Sequence, residues 1–503
     1  MHRRRLALPL LLAAALLAPA GGQAQEAPFA GLDSLVERAM QDWGVPGVAI
    51  AVVRNDSVIF ARGYGVREVG KPEPVDVNTV FAIASITKSF TAAGVGMLVD
   101  EGRLTFDDRA HTHLPDLEFA DPWMTREFSV RDMLSHRSGL ERGDWLWFGT
   151  DYDRTEVVRH IRYLRQVGPF RTTYGYSNNM YIAAGQMIAA VTGMSWDEFM
   201  HRRIFEPLGM TRTNTSVRFL PEMDNVAKPH ERIHGRVQRV PHGNLDNEAP
   251  GGSINSTVLD MARYIRFQLG GGTFEGKQLL RPETLAEMHT PQTLIPITQD
   301  HRDAYPDLHF LAYGMGWEIL DYHGRKVVQH SGSFDGMRAR LSLIPEENAG
   351  FVILTNLGWG NMLDAALRNV LLDALLGDSG RDWSGEYLAR VRRQEAEAVA
   401  YEKRIREERV PGTKPSLAAE GYAGSYRDEG FGPATVKVEG GKLVLTLGPR
   451  HTGDMVHYHH DTFWCTWRDP RYGWSLVTFS FAHDGSVTGM DVGGVRYYRR
   501  VRE

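Results

Sequence analysis

The sequence predicts an α+β protein: an antiparallel sheet flanked by helices with an inserted helical lobe, followed by a small all-β, barrel-like domain. Three observations carry this. Two short apolar runs near the start read as a hairpin, and a mostly helical middle follows it. Strand-like runs then return before residue 380, and a second series of alternating runs begins beyond 416. At 503 residues the chain also exceeds what a single core usually organises.

Residues 1–24 read as a signal peptide. His2-Arg3-Arg4-Arg5 is a basic segment, Leu6 to Ala18 an apolar run too short to span a bilayer, and Gly22-Gln23-Ala24 offers small residues for cleavage. The expectation is a periplasmic or secreted protein with no stable membrane anchor after cleavage. A net charge of −5, with both signs interspersed, argues against a nucleic-acid partner. The single cysteine, Cys465, excludes an internal disulfide.

From Leu32 a helix is expected. Val48 to Val53 and Ser57 to Ala61 flank Arg54-Asn55-Asp56, a turn-length connection. A helix after Ser85 runs towards a stop at Gly102. Asn178 to Val191 reads as a helix closed by Gly193, and Thr257 caps a helix to Leu269. Pro291 to Pro306 reads as a surface loop or lid. Strands return at Gly316 to Leu320, Lys326 to His330, Arg338 to Ile344 and Phe351 to Thr355. Residues 25–380 thus form the first domain, and 381–415 a charged helical linker broken at Pro411. Residues 416–503 form the β domain, with turns at Gly440-Gly441 and Asp484-Gly485.

The chemistry starts at Ser85-Ile86-Thr87-Lys88. A serine is a poor nucleophile unless a base takes its proton, and a lysine one helical turn on lies within reach. Alone, the pattern is expected about once by chance in a chain of this length. Two further motifs follow in order: Tyr176-Ser177-Asn178 before the small-residue helix, and His330-Ser331-Gly332 on a late strand. With these the sequence resembles the serine hydrolases of the class C β-lactamase and penicillin-binding-protein superfamily, including its esterase and D-aminopeptidase-like members. That superfamily orders Ser-x-x-Lys, Tyr-x-Asn and a Lys- or His-x-Gly strand in this way. Leu134 to Leu140, Pro207 to Met210, Gly251-Gly252-Ser253 and Tyr313 to Trp317 add to the likeness, which spans about Leu32 to Leu376.

The resemblance implies a β-lactamase/transpeptidase-like fold and an acyl-enzyme on Ser85, with the backbone N–H groups of Ser85 and Ser333 as the oxyanion hole. Lys88 and Tyr176 would share the proton. Both normally titrate near pH 10, so neutral-pH work needs a shift of roughly 3 units. Asn178 would orient Lys88 or a substrate amide, while His330, Ser331 and Gly332 support substrate binding. Histidine at 330 is mostly neutral at pH 7 and favours neutral esters, amides or peptides over anionic β-lactams. A β-lactamase, a penicillin-binding D,D-peptidase, or a non-catalytic penicillin- or lipid-binding relative stays open.

His457, His459, His460 and Asp461 suggest a metal site only weakly, since no third ligand is assured. No metal and no organic cofactor is implied. Trp464, Trp467 and Trp474 read as filling the core of the β domain. That domain resembles the lipocalin-like domains appended to some relatives, where they cover the cleft or build a homo-oligomer.

Overall fold

The computed structural model describes residues 29–378 and 380–499; the expected signal peptide lies outside them. An eight-stranded antiparallel sheet runs in the order Ser57–Gly65, Gly47–Arg54, Ala349–Thr355, Met337–Ile344, Arg325–Phe334, Glu318–Tyr322, Leu311–Tyr313 and Thr293–Leu294. The first hairpin forms where the sequence places it. Asn55 and Asp56 both take left-handed backbone, φ 51° and 60°, the two-residue turn whose twist suits a hairpin.

One sheet face carries the helical lobe. Thr87–Asp100, Asn178–Thr192 and Val258–Leu269 pack there around Phe90, Tyr181, Tyr264 and Trp317. The caps are those expected: the Thr257 side chain accepts from the Asp260 N–H, and Gly193 closes its helix at φ 76°. The opposite face is covered by Leu32–Trp43, Leu363–Leu376 and the start of Trp383–Glu407.

The segment expected as an irregular loop, Pro291 to Pro306, is ordered. Thr293–Leu294 adds the eighth strand, and the Gln299–Ala304 helix is stopped at its start by a capping box of Thr298 and His301. The Arg325–Phe334 strand also runs past His330, so the third motif lies within a strand rather than at its end.

Trp383–Glu407 is a 25-residue helix burying only Trp383, Tyr387 and Val391. Beyond it, eight sequential antiparallel strands from Gly424–Asp428 to Val495–Arg499 close into a barrel, Tyr426 pairing with Arg499. Its interior is filled by Tyr422, Tyr426, Met455, Phe463, Trp467 and Phe479. Trp464 and Trp474 differ from the expectation. They stack on each other outside the barrel, 4.0 Å between ring centroids, and Arg406 of the long helix lies 4.1 Å from the Trp464 ring. Of the histidine cluster, His459 and Asp461 hold the connector: His459 Nδ1 accepts from the Val410 N–H and Asp461 accepts from Ser416 and Tyr422, while His457 Nε2 lies 2.9 Å from its own turn's His460 carbonyl.

Candidate active site

Ser85 sits in a 3₁₀ turn, Ala84–Ile86, directly before the Thr87–Asp100 helix. Ala84 is left-handed at φ 46°, a strained setting for a residue with a Cβ and of the kind found at functional sites. The Arg325–Phe334 strand presses on this turn. A Cβ at Gly332 would lie 2.1 Å from the Ile83 carbonyl oxygen and 3.1 Å from the Ala84 Cβ, so only glycine lets the strand come so close. Ser85 and Ser333 consequently line one cleft of about 490 Å³.

Lys88 is fully buried, and its Nζ donates to Ser85 Oγ at 3.2 Å and to the Gly251 carbonyl at 2.7 Å. Burial lowers its ammonium to about 8, although the Glu248 and Asp144 carboxylates favour the charge. Tyr176 lies beside it, Nζ being 4.9 Å from the ring centroid. Burial pushes this phenol well above 10, with the Ser85 hydroxyl pulling the other way. The shift the sequence asks of both groups therefore falls on Lys88 alone.

Asn178 makes no hydrogen bond to Lys88, whose Nζ is given to Ser85 and Gly251. The Asn178 amide N–H donates to Asp144 Oδ1 at 3.0 Å, and its own Oδ1 is left without a partner at the cleft wall. His330 is 2% exposed and stands behind the wall. Its Nδ1 is 2.7 Å from the Ser331 carbonyl, which only accepts, so Nδ1 carries the proton and Nε2 accepts from the Tyr313 hydroxyl at 2.8 Å. Burial takes His330 down to about 3, so it is neutral. Ser331 turns the other way, as strand alternation requires, into a separate cavity with Gln329 and Arg340 behind the sheet. The sequence thus gathers His330, Ser331 and Gly332 into one binding motif that the fold divides: Gly332 sets the approach, His330 anchors Tyr313, and the Ser331 side chain leaves the site.

Several residues at the site had no role assigned to them from the sequence. His136, also left-handed at φ 56° and buried, accepts the Ser177 N–H on Nδ1 at 3.1 Å and packs on Tyr176 with ring centroids 4.3 Å apart. It lies in the Leu134–Leu140 stretch that supports the resemblance. Arg142 lies 5.3 Å from the Tyr176 ring centroid and pairs with Asp144. Glu248, three residues before the quoted Gly251, is buried in the cleft lining. Trp147, Phe148, Phe334 and Trp359 give the cleft an aromatic wall. The barrel completes it with Pro470, Arg471 and Tyr472, held by an Arg471–Asp335 ion pair at 3.1 Å and by Tyr472 edge-on to Phe148.

The family model described as Beta-lactamase matches residues 32–376. The chain belongs to that family. A second model, "Domain of unknown function (DUF3471)", matches residues 408–497, the barrel. Among curated relatives of this Beta-lactamase family chain, unguisins hydrolase from Aspergillus violaceofuscus is 29% identical over 82% of this chain and 77% of its own. Penicillin-binding protein 4 from Amycolatopsis lactamdurans is 28% identical over 66% of this chain and 86% of its own. Among solved structures, an octameric penicillin-binding protein homologue from Pyrococcus abyssi covers 93% of this chain and 99% of its own. Its TM-score is 0.62 and its identity 23%, a likeness of fold. This member of the family is a serine hydrolase.

Proposed function

We propose that the protein is an exported hydrolase cleaving esters or amides through an acyl-Ser85 intermediate. The observation that carries this is the buried Lys88 amine 3.2 Å from the Ser85 hydroxyl, with its ordinary pKa lowered to about 8. As a free amine Lys88 takes the Ser85 proton while Oγ attacks the substrate carbonyl. The charge developing on the carbonyl oxygen is met by the backbone N–H groups of Ser85 and Ser333; one such donor is typically worth about 100-fold or more in rate. Tyr176 keeps its proton at neutral pH and stands ready to relay one towards the leaving group. Water then attacks the acyl carbon, and Lys88 and Tyr176 act in the reverse sense.

Export rests on the N-terminal pattern in residues 1–24. For the substrate, Arg142 and Arg471 are each already paired with aspartate and His330 is neutral. The lining's third arginine, Arg232, donates to the Trp43 carbonyl and is offset by Glu231 and Glu248 in the same lining, so the cleft offers an anion no net positive charge. Its aromatic wall favours an apolar acyl or leaving group. Neutral esters and peptides, including D-amino-acid amides, fit better than classical β-lactams.

The test is a fluorophosphonate probe followed by peptide mass spectrometry, with turnover of p-nitrophenyl esters, D- and L-aminoacyl amides and a chromogenic cephalosporin. An adduct on Ser85 that Ser85→Ala abolishes, together with ester or amide turnover, is expected. No adduct and no hydrolysis would remove the enzyme reading. A stable cephalosporin adduct without turnover of any substrate would make the protein a penicillin binder.

A further inference from the structure

The mechanism above leaves the buried carboxyl of the site unused. Glu248 is 2% exposed and lines the same cleft as Ser85. Its carboxyl folds back over the turn that follows. A Cβ at Gly251 would lie 2.0 Å from Glu248 Oε1, and one at Gly252 would lie 2.5 Å from Oε2. The two glycines therefore leave the room that the carboxyl occupies. The same Gly251 position is 3.5 Å from Lys88 Nζ, and the Gly251 carbonyl accepts from that Nζ, so the carboxyl and the amine share one corner. Oε1 is buried without a hydrogen-bond partner among the described residues. A carboxylate placed so at the nucleophile's base costs stability and calls for a role.

We propose that Glu248 is a positioning residue for the proton it shares with Lys88: its carboxylate favours the ammonium, and the amine that activates Ser85 is freed when the carboxyl takes the proton, so this carboxyl sets the pH at which Ser85 reacts. The inference rests on the acyl-Ser85 reading. The step balances as Lys88–NH3+ and Glu248–COO− going to Lys88–NH2 and Glu248–COOH. The Lys88 lone pair then takes the Ser85 proton as Oγ bonds to the substrate carbonyl carbon, and the carbonyl π electrons move to its oxygen. Burial raises the Glu248 carboxyl to about 8, level with Lys88, so neither group holds the proton outright and the two titrate as a pair. The other charges facing them are Arg142, Asp144 and Arg154. Arg142 pairs with Asp144, and Arg154 with Asp197 at 2.6 Å. His136 and His330, the histidines nearest Lys88, are depressed by burial and stay neutral. Asp144 also favours the Lys88 cation but is engaged by Arg142, so Glu248 exerts the largest pull of any charge on Lys88.

The test follows the rate of Ser85 labelling by a fluorophosphonate against pH in the full chain, for wild type, Glu248→Gln and Glu248→Asp. Glu248→Gln removes the carboxylate that favours the Lys88 cation, so the acid limb moves down by about one pH unit. Below the wild-type limb that means labelling about tenfold faster relative to each protein's own plateau. Glu248→Asp keeps the charge one methylene further back and shifts the limb in the same direction by less. A residue that merely fills space would leave the profile in place. An unmoved limb in Glu248→Gln overturns the proposal. If that variant does not fold, an unmoved limb in Glu248→Asp overturns it. A wild type that takes no label at Ser85 rejects the acyl-enzyme reading itself, whereas a labelled wild type with unmoved variants rejects this inference alone.

Discussion

Gly332→Ala probes how the sheet sets the Ser85 turn. The added Cβ would stand 2.1 Å from the Ile83 carbonyl oxygen, and both groups are backbone with no side chain to swing aside. Contacts below 3.0 Å are essentially not seen at a Cβ, so the strand and the Ser85 turn must part by about 1 Å. A displacement of that size at the reacting atoms costs on the order of 100-fold in rate. The overpacking itself costs about 1–3 kcal/mol, which a domain of this size tolerates. The expected result is a kcat/KM for a p-nitrophenyl ester reduced about 100-fold, with far-UV circular dichroism unchanged. Ser331→Ala is the matched control, since its side chain faces the cavity behind the sheet, and it is expected to stay within about twofold. Gly332→Ala activity within twofold of wild type would refute the reasoning, as would a Ser331→Ala loss equal to that of Gly332→Ala.

Two further outcomes concern stability. Asp364 is buried between Arg338 Nε at 2.7 Å and Arg340 Nη2 at 2.9 Å, so Asp364→Ala strands a buried guanidinium. The expected loss in chemical denaturation is about 3–5 kcal/mol; a loss below about 1 kcal/mol would show that the pair is dispensable. Burial also holds His242 at about 4, and His289 and His330 at about 3. The unfolded chain protonates all three below about 6.5 while the fold does not, so stability is lost as pH falls from about 6.5 towards 3. Denaturation midpoints across that range test it, and a flat profile would contradict it.

Periodicity and turn chemistry made much of the architecture legible. The Asn55-Asp56 hairpin, the Thr257 and Gly193 caps and the barrel strands are local events, written in neighbouring residues. The Ser85–Lys88 contact was equally readable, because three residues along a tight turn fix it. His330 was harder. Alternation along a strand separates it from Ser331, but which face meets the cleft depends on helices more than 100 residues away. Glu248 was invisible and His136, though in a quoted stretch, had no assigned role, for the same reason: each reaches Lys88 or Tyr176 only through tertiary packing, and neither sits at a spacing from them that implies contact. The segment from Pro291 to Pro306 misled through its prolines, while the capping pair of Thr298 and His301 was the signal of order within it.

The Pro470–Tyr472 turn closes one side of a cleft whose proposed nucleophile, Ser85, lies nearly four hundred residues earlier in the chain. The proposed reactive residues and part of the cleft wall are thus encoded far apart, joined by an exposed helix that buries only three residues. Substitutions in that turn can retune which molecules enter without touching Ser85, Lys88 or Tyr176, so selectivity and reactivity are free to drift independently. The same separation sets an order of assembly during synthesis. The serine, its lysine and the sheet are complete while the barrel is still to be made, and the cleft acquires its last wall only as the C-terminal strands close.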